Sequence, residues 1–210
     1  IWYQGCANAR KNAESYLEKQ KILYSSWGKV FEKPDMSFYI VQIAPYFRRG
    51  ISREYHLQIW EAQEQFARQN PKVKMVVTND VGDIHEIHPR NKAPVGKRLA
   101  QLALKYDYGR DIAADSPLLR AHQVTDGEIT LEFDHVNSWN INGEALWEVA
   151  DENGKYFPAQ VQSIGAKLLI SSQKVKKPTA VRYLWKCDAT GNMFNEVGLP
   201  LGAFRCKLTN

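Results

Sequence analysis

Ser37-Phe38-Tyr39-Ile40-Val41-Gln42-Ile43-Ala44 is a nearly unbroken apolar, aromatic and β-branched run, closed by Pro45. Apolar side chains at both parities of the pleat mean a strand buried on both faces, the signature of a parallel sheet covered by helices. The flanking patterns agree. Upstream, Asn8–Trp27 sets Ala13, Tyr16, Leu17, Leu23, Tyr24 and Trp27 on one helical stripe, with Gly28 and Pro34 expected to end it. Downstream, Arg53–Gln69 repeats the helical period through Ile59, Ala62 and Phe66. Farther out, Ile1–Gln4 reads as the end of one strand and Val73–Thr78 as another. Pro94–Tyr106 aligns Val95, Leu99, Leu102 and Tyr106 on a last helix, with Pro94 in the first turn, where a missing N–H costs least.

Strand and helix in alternation imply an α/β domain with right-handed crossovers. Ligands bind such sheets at the carboxyl ends of the strands. Gln4–Asn8, Pro45–Arg49 and Asn79–His88 must therefore gather along one edge. Three strands are few for such a sheet, so further strands are expected upstream of Ile1.

Beyond Ser116 the period changes to two. Glu128–Asp134 alternates through Ile129, Leu131 and Phe133, and Ala145–Val149, Tyr156–Gln162, Lys167–Ser171 and Ala180–Trp185 follow as short strands. Asp126-Gly127 and Asn153-Gly154 are hairpin turns. The expectation is an antiparallel, sandwich-like domain. Gly109, Asp115, Ser116 and Pro117 mark the boundary, giving domains at 1–110 and 116–210.

The composition, 44% hydrophobic and 24% charged, is that of an ordinary globular protein. No apolar run approaches a membrane span, so no membrane partner is expected. The net charge of +5 divides into +7 over residues 1–110 and −2 over the rest. The cations are scattered over polar helix faces without a dense stripe, which argues against a nucleic-acid partner. The cysteines are Cys6, Cys187 and Cys206, with no C-x-x-C pair to build a zinc site. If the protein is exported, Cys187 and Cys206 are expected to pair, closing a 19-residue loop worth roughly 3 kcal/mol.

The densest chemistry is Asn79-Asp80-Val81-Gly82-Asp83-Ile84-His85-Glu86-Ile87-His88-Pro89, three carboxylates and two histidines in a loop after a strand. A histidine beside a carboxylate at a sheet's carboxyl edge is a general-base arrangement, because the carboxylate stabilises the imidazolium that proton uptake creates. The alternatives are polar groups that merely cap the loop, or a metal held by His85, His88 and Asp83. A Cys6–His88 nucleophile pair is geometrically conceivable, against the commoner buried structural cysteine.

Ile1-Trp2-Tyr3-Gln4-Gly5-Cys6-Ala7-Asn8-Ala9 resembles the W-Y-Q-G-E-S-N-A segment of the sialate O-acetylesterase family. Ile87-His88-Pro89-Arg90-Asn91-Lys92, with Pro94-Val95-Gly96 and Arg98-Leu99-Ala100, resembles that family's D-I-H-P-R-N-K and P-V-G-x-R-L-A blocks. Phe133-Asp134-His135-Val136, Ala180-Val181-Arg182-Tyr183 and Gly191-Asn192-Met193-Phe194-Asn195 continue the match in order. The resemblance implies part of a flavodoxin-like SGNH-hydrolase domain and a serine esterase that removes O-acetyl groups from sialic acid or a related acetylated sugar. It requires no cofactor and implies a secreted or periplasmic protein. His88 would be the general base, with Glu86 preferred over Asp83 as the orienting acid, and Gln4, with Asn8, would serve the oxyanion and substrate. The family's serine segment, G-Q-S-N-M-like and upstream of W-Y-Q-G, has no match here, so the serine is expected from a missing upstream part of the same protein. Cys6-Ala7 departs from the family's Glu-Ser, which favours the alternative of a non-catalytic carbohydrate-binding homologue.

Overall fold

A computed structural model describes residues 1–47, 52–144 and 146–209. Two compact units result: Ile1–Asp115 with Lys186–Thr190, and Ser116–Trp185 with Gly191–Asn210. Arg48 and Arg49, part of the expected edge segment, and Ala145, the expected start of a strand, lie outside the described residues.

In the first unit the helix α1 (Tyr16–Val30) precedes the strand β1 (Phe38–Val41). The helix α2 (Arg53–Gln69), the strand β2 (Val73–Val76) and the helix α3 (Ala93–Tyr106) follow. β1 and β2 pair in parallel, Phe38 opposite Val73 through Val41 opposite Val76. On the other side of β1, Trp2 makes a parallel bridge to Ile40: its N–H donates to Tyr39 O at 2.8 Å and its carbonyl accepts from Val41 N–H at 2.9 Å. All four β1 residues are buried, and their alternation divides them between two cores. Phe38 and Ile40 pack with Phe66, Val73 and the α1 residues Leu17, Leu23, Tyr24 and Trp27. Tyr39 and Val41 pack with Val76, Val95, Leu102 and Ala114. The doubly apolar reading of 37–44 thus rests on helices to both sides.

Two details differ from the sequence reading. Asn8–Trp27 is not one helix: Asn8–Arg10 and Ala13–Ser15 are single 3-10 turns separated by Asn12 at φ 61°, and the α-helix starts only at Tyr16. A left-handed residue cannot continue a helix. Nor does Gly28 end α1, which runs to Val30. A β-carbon on Gly28 would sit 3.2 Å from Pro34 Cα, so the glycine lets the returning chain pass close.

The second unit is antiparallel throughout. Its strands are β3 (Leu118–Thr125), β4 (Glu128–Asp134), β5 (Trp139–Ile141), β6 (Trp147–Ala150), β7 (Tyr156–Ile164), β8 (Lys167–Ser171), β9 (Ala180–Tyr183), β10 (Met193–Asn195) and β11 (Phe204–Lys207). Seven form one sheet in the order β11-β9-β6-β7-β8-β4-β3, while β5 and β10 form a separate ribbon. The expected sandwich of two sheets is instead one continuous curled sheet, because β7 is shared. Tyr156–Ala159 pair with β6 and Gln160–Ile164 with β8. Phe133 of β4 meets Phe204 of β11 with ring centroids 6.0 Å apart, joining strands from opposite ends of the sheet order. Asp126-Gly127 makes the β3–β4 turn at φ 51° and 82°, the positive pair a type I′ turn demands.

The disulfide expected between Cys187 and Cys206 is not formed; all three cysteines are thiols. Cys187 is buried in the segment counted with the first unit. Cys206 lies on β11, with Sγ 3.8 Å from His122 Nδ1. Among the described residues no helix is long and apolar enough to cross a membrane.

Candidate active site

The first wall of the site is the segment that leaves Trp2. Gly5 sits at φ 153°, and a β-carbon there would lie 2.8 Å from Ile43 Cγ2 and 2.9 Å from Ile59 Cγ2. Only glycine allows this approach. Its carbonyl then accepts from Asn8 N–H at 2.9 Å, turning the chain so that Asn8 faces back on Gln4. Gln4 Nε2 donates to Asn8 Oδ1 at 3.0 Å. The Tyr16 hydroxyl donates to Gln4 O at 2.6 Å and approaches Oε1 at 3.1 Å. Burial pushes the Tyr16 phenol up to about 12, so it remains a donor at neutral pH. The amide of Gln4 is therefore held at both ends, with one Nε2 hydrogen uncommitted to Asn8.

The floor follows β1. Gln63 of α2, fully buried, accepts from Ile43 N–H at 3.1 Å and donates to Val41 O at 3.2 Å and Gln4 O at 3.3 Å. Trp60 Nε1 donates to Ile43 O at 2.6 Å. One helix thus satisfies main-chain groups that the short sheet leaves over at its carboxyl edge.

The second wall is the loop after β2. Arg98 of α3 grips Asp80 with both guanidinium nitrogens, at 2.7 and 2.6 Å, and also donates to Val77 O at 2.8 Å. Beyond it the loop turns on itself. Asp83 Oδ1 accepts from His85 N–H at 2.9 Å, and Glu86 Oε1 accepts from His88 N–H at 2.9 Å. The Phe47 N–H donates to Ile84 O at 2.9 Å, tying the loop to the chain that leaves β1.

Between the walls lies a cavity of about 270 Å³, lined by Tyr3, Gln4, Gly5, Cys6, Ala7, Ile43, Ala44, Ile87, His88 and Lys92. Gln4 and His88 share the cavity. Asn8 acts behind Gln4, outside the lining. Glu86 and Asp83 are exposed, and each carboxylate accepts from a main-chain amide. Among the described residues no group of three His, Cys, Asp or Glu could hold a metal ion, so the grouping of His85, His88 and Asp83 does not form. Cys6 lines the cavity, but desolvation raises its thiol pKa, against smaller downward pulls that include Lys92 and Arg10. A raised thiol is a poor nucleophile at neutral pH.

Sequence reasoning missed Tyr16, Trp60, Gln63 and Lys92 as parts of this site. Gln63 carried a signal: a polar residue on the helix face it shares with Ile59 and Phe66 needs a buried partner. Lys92 carried only its place at the end of the Ile87–Lys92 block.

The family model described as carbohydrate esterase, sialic acid-specific acetylesterase, matches residues 1–105. That stretch contains every residue of the cavity. The mouse sialate O-acetylesterase is 27% identical over 88% of this chain and 39% of its own length. The human enzyme is 26% identical over 88% of this chain and 40% of its own. A novel carbohydrate acetylesterase from Xanthomonas citri superposes with a TM-score of 0.90 at 28% identity, covering all of this chain and half of that structure. The chain thus spans about two fifths of the length of these curated relatives. With half of its residues under the family model, and with the cavity inside that half, the chain belongs to the carbohydrate esterase family of sialic acid-specific acetylesterases.

Proposed function

We propose that this chain supplies the general base and the oxyanion donor of a serine-type sugar O-acetylesterase, with the nucleophilic serine coming from outside these 210 residues. The observation that carries the proposal is the shared cavity of Gln4 and His88. In this reading the serine Oγ attacks the acetyl carbonyl while His88 takes its proton. Gln4, its amide fixed by Tyr16 and Asn8, donates to the carbonyl oxygen as it becomes an oxyanion. A donor aimed in advance stabilises the transition state without the cost of reorganising at the moment of reaction. His88 then passes the proton to the departing sugar hydroxyl, and water, activated by the same imidazole, releases acetate and restores the serine.

Glu86 is the acid proposed to serve His88. Its carboxylate already accepts from the His88 main-chain amide, whereas Asp83 holds His85. The rest of the sheet, in the flavodoxin-like SGNH arrangement, would extend from the Trp2 side of β1. The substrate is an acetylated sialic acid, and the reading needs no cofactor.

The test is hydrolysis of 4-nitrophenyl acetate and of O-acetylated sialic acid. The whole protein should turn over both. The 210-residue chain should show neither turnover nor serine labelling by a fluorophosphonate, because acyl transfer needs a nucleophile that the base can reach. Turnover by the chain alone, with a labelled serine, would overturn the assignment of the missing nucleophile.

A further inference from the structure

The cavity has a charge that its catalytic reading does not use. Lys92 is its one lysine, and none of the ten lining residues is a carboxylate. Its ammonium stands 5.0 Å from the centre of the Tyr3 ring, within cation–π reach, which holds a long side chain beside the opening without neutralising it. Arg10, on the 3-10 turn after Ala7, adds a second positive field at Cys6. Among the described residues neither cation stands in an ion pair. The three carboxylates of the neighbouring loop are engaged elsewhere. Asp80 is bound by Arg98, and Asp83 and Glu86 accept from main-chain amides. α3 begins at the residue after Lys92, so the positive end of its dipole lies on the same side.

An exposed cation that lacks an acidic partner at a ligand cavity is suited to an anionic ligand. We propose that Lys92 is the specificity determinant that reads the carboxylate of a sugar acid. This deepens the acetylesterase reading and rests on it: it names the residue that would separate acetylated sugar acids from neutral acetylated sugars.

The experiment is a binding titration of the whole protein at low ionic strength, followed by calorimetry or by NMR shifts of the Lys92 neighbourhood. The ligands are N-acetylneuraminate, its uncharged methyl ester, and acetate. The sugar acid should bind about ten-fold more tightly than the ester, a preference that weakens as salt is added. Lys92→Gln, an exposed change whose folding is checked by circular dichroism, should bring acid and ester within about two-fold of each other. The inference is overturned if acid and ester bind alike, if neither binds, if acetate alone binds as tightly as the sugar acid, or if Lys92→Gln keeps the preference. Any of these, together with hydrolysis of 4-nitrophenyl acetate by the whole protein, would remove the specificity assignment and leave the esterase reading standing.

Discussion

His88→Ala in the whole protein should lower kcat by about 10²- to 10⁴-fold, the range expected when a positioned general base is lost. The imidazole is proposed to act twice, as base toward the serine and as acid toward the departing hydroxyl, so its removal slows both halves of the reaction. His85→Ala should change kcat by less than about three-fold, well below the contribution of a general base. The two histidines are three residues apart in one exposed loop, yet only His88 lines the cavity. The contact that Asp83 makes to residue 85 is to its main-chain amide and survives the alanine substitution. Steady-state kinetics on both variants separate the roles. Equal losses would show that the loop, rather than one imidazole, is what catalysis needs.

The second large effect is on stability. Asp80→Ala should destabilise the first unit by about 3–5 kcal/mol, because Arg98 would be left buried without its counter-charge. Both side chains are only 10% exposed, so water cannot take over the carboxylate's part. The pair ties α3 to the loop that carries His88, and the loss should appear as a lower denaturant midpoint by circular dichroism. Replacing both partners together, Asp80→Leu with Arg98→Met, should cost much less than Asp80→Ala, since a paired apolar replacement leaves no stranded charge. If the single and double variants lose equal stability, the ion pair is not what holds the loop.

Much of this was legible in the sequence, and the reasons are local. Arg53–Gln69 was readable as a helix because its apolar period is clean, and Ser52 at its start accepts from Tyr55 N–H. Glu128–Asp134 and Lys167–Ser171 were readable as strands because one face of each is buried and the other is not. The convergence of Gln4 and His88 followed from parallel-sheet topology before any side chain was placed. What stayed hidden depends on long-range partners. β3 shows little burial along its length, so period two could not reveal it; its pairing with β4 does. The break at Asn12 is set by a single backbone angle. The curling of one sheet, in place of two stacked sheets, depends on how β7 divides its hydrogen bonds between two neighbours.

Gly5 shows how closely the site and the fold are bound together. Its backbone angle and its lack of a β-carbon let Ile43 and Ile59 press against the same turn that presents Gln4. The same turn brings Asn8 onto the Gln4 amide, while Gln63 and Tyr16 donate to the Gln4 main-chain carbonyl from two helices. A substitution in α1 or α2 can therefore disturb the proposed oxyanion donor without touching the cavity.

The most direct test is a crystal structure of the whole protein after reaction with a phosphonate ester that mimics the tetrahedral intermediate. The expected adduct is a phosphonylated serine from outside this chain, with one phosphonyl oxygen within hydrogen-bond reach of Gln4 Nε2 and the serine oxygen within reach of the His88 ring. An adduct on a serine remote from the cavity of Gln4 and His88, or one whose oxygens meet neither residue, would contradict it.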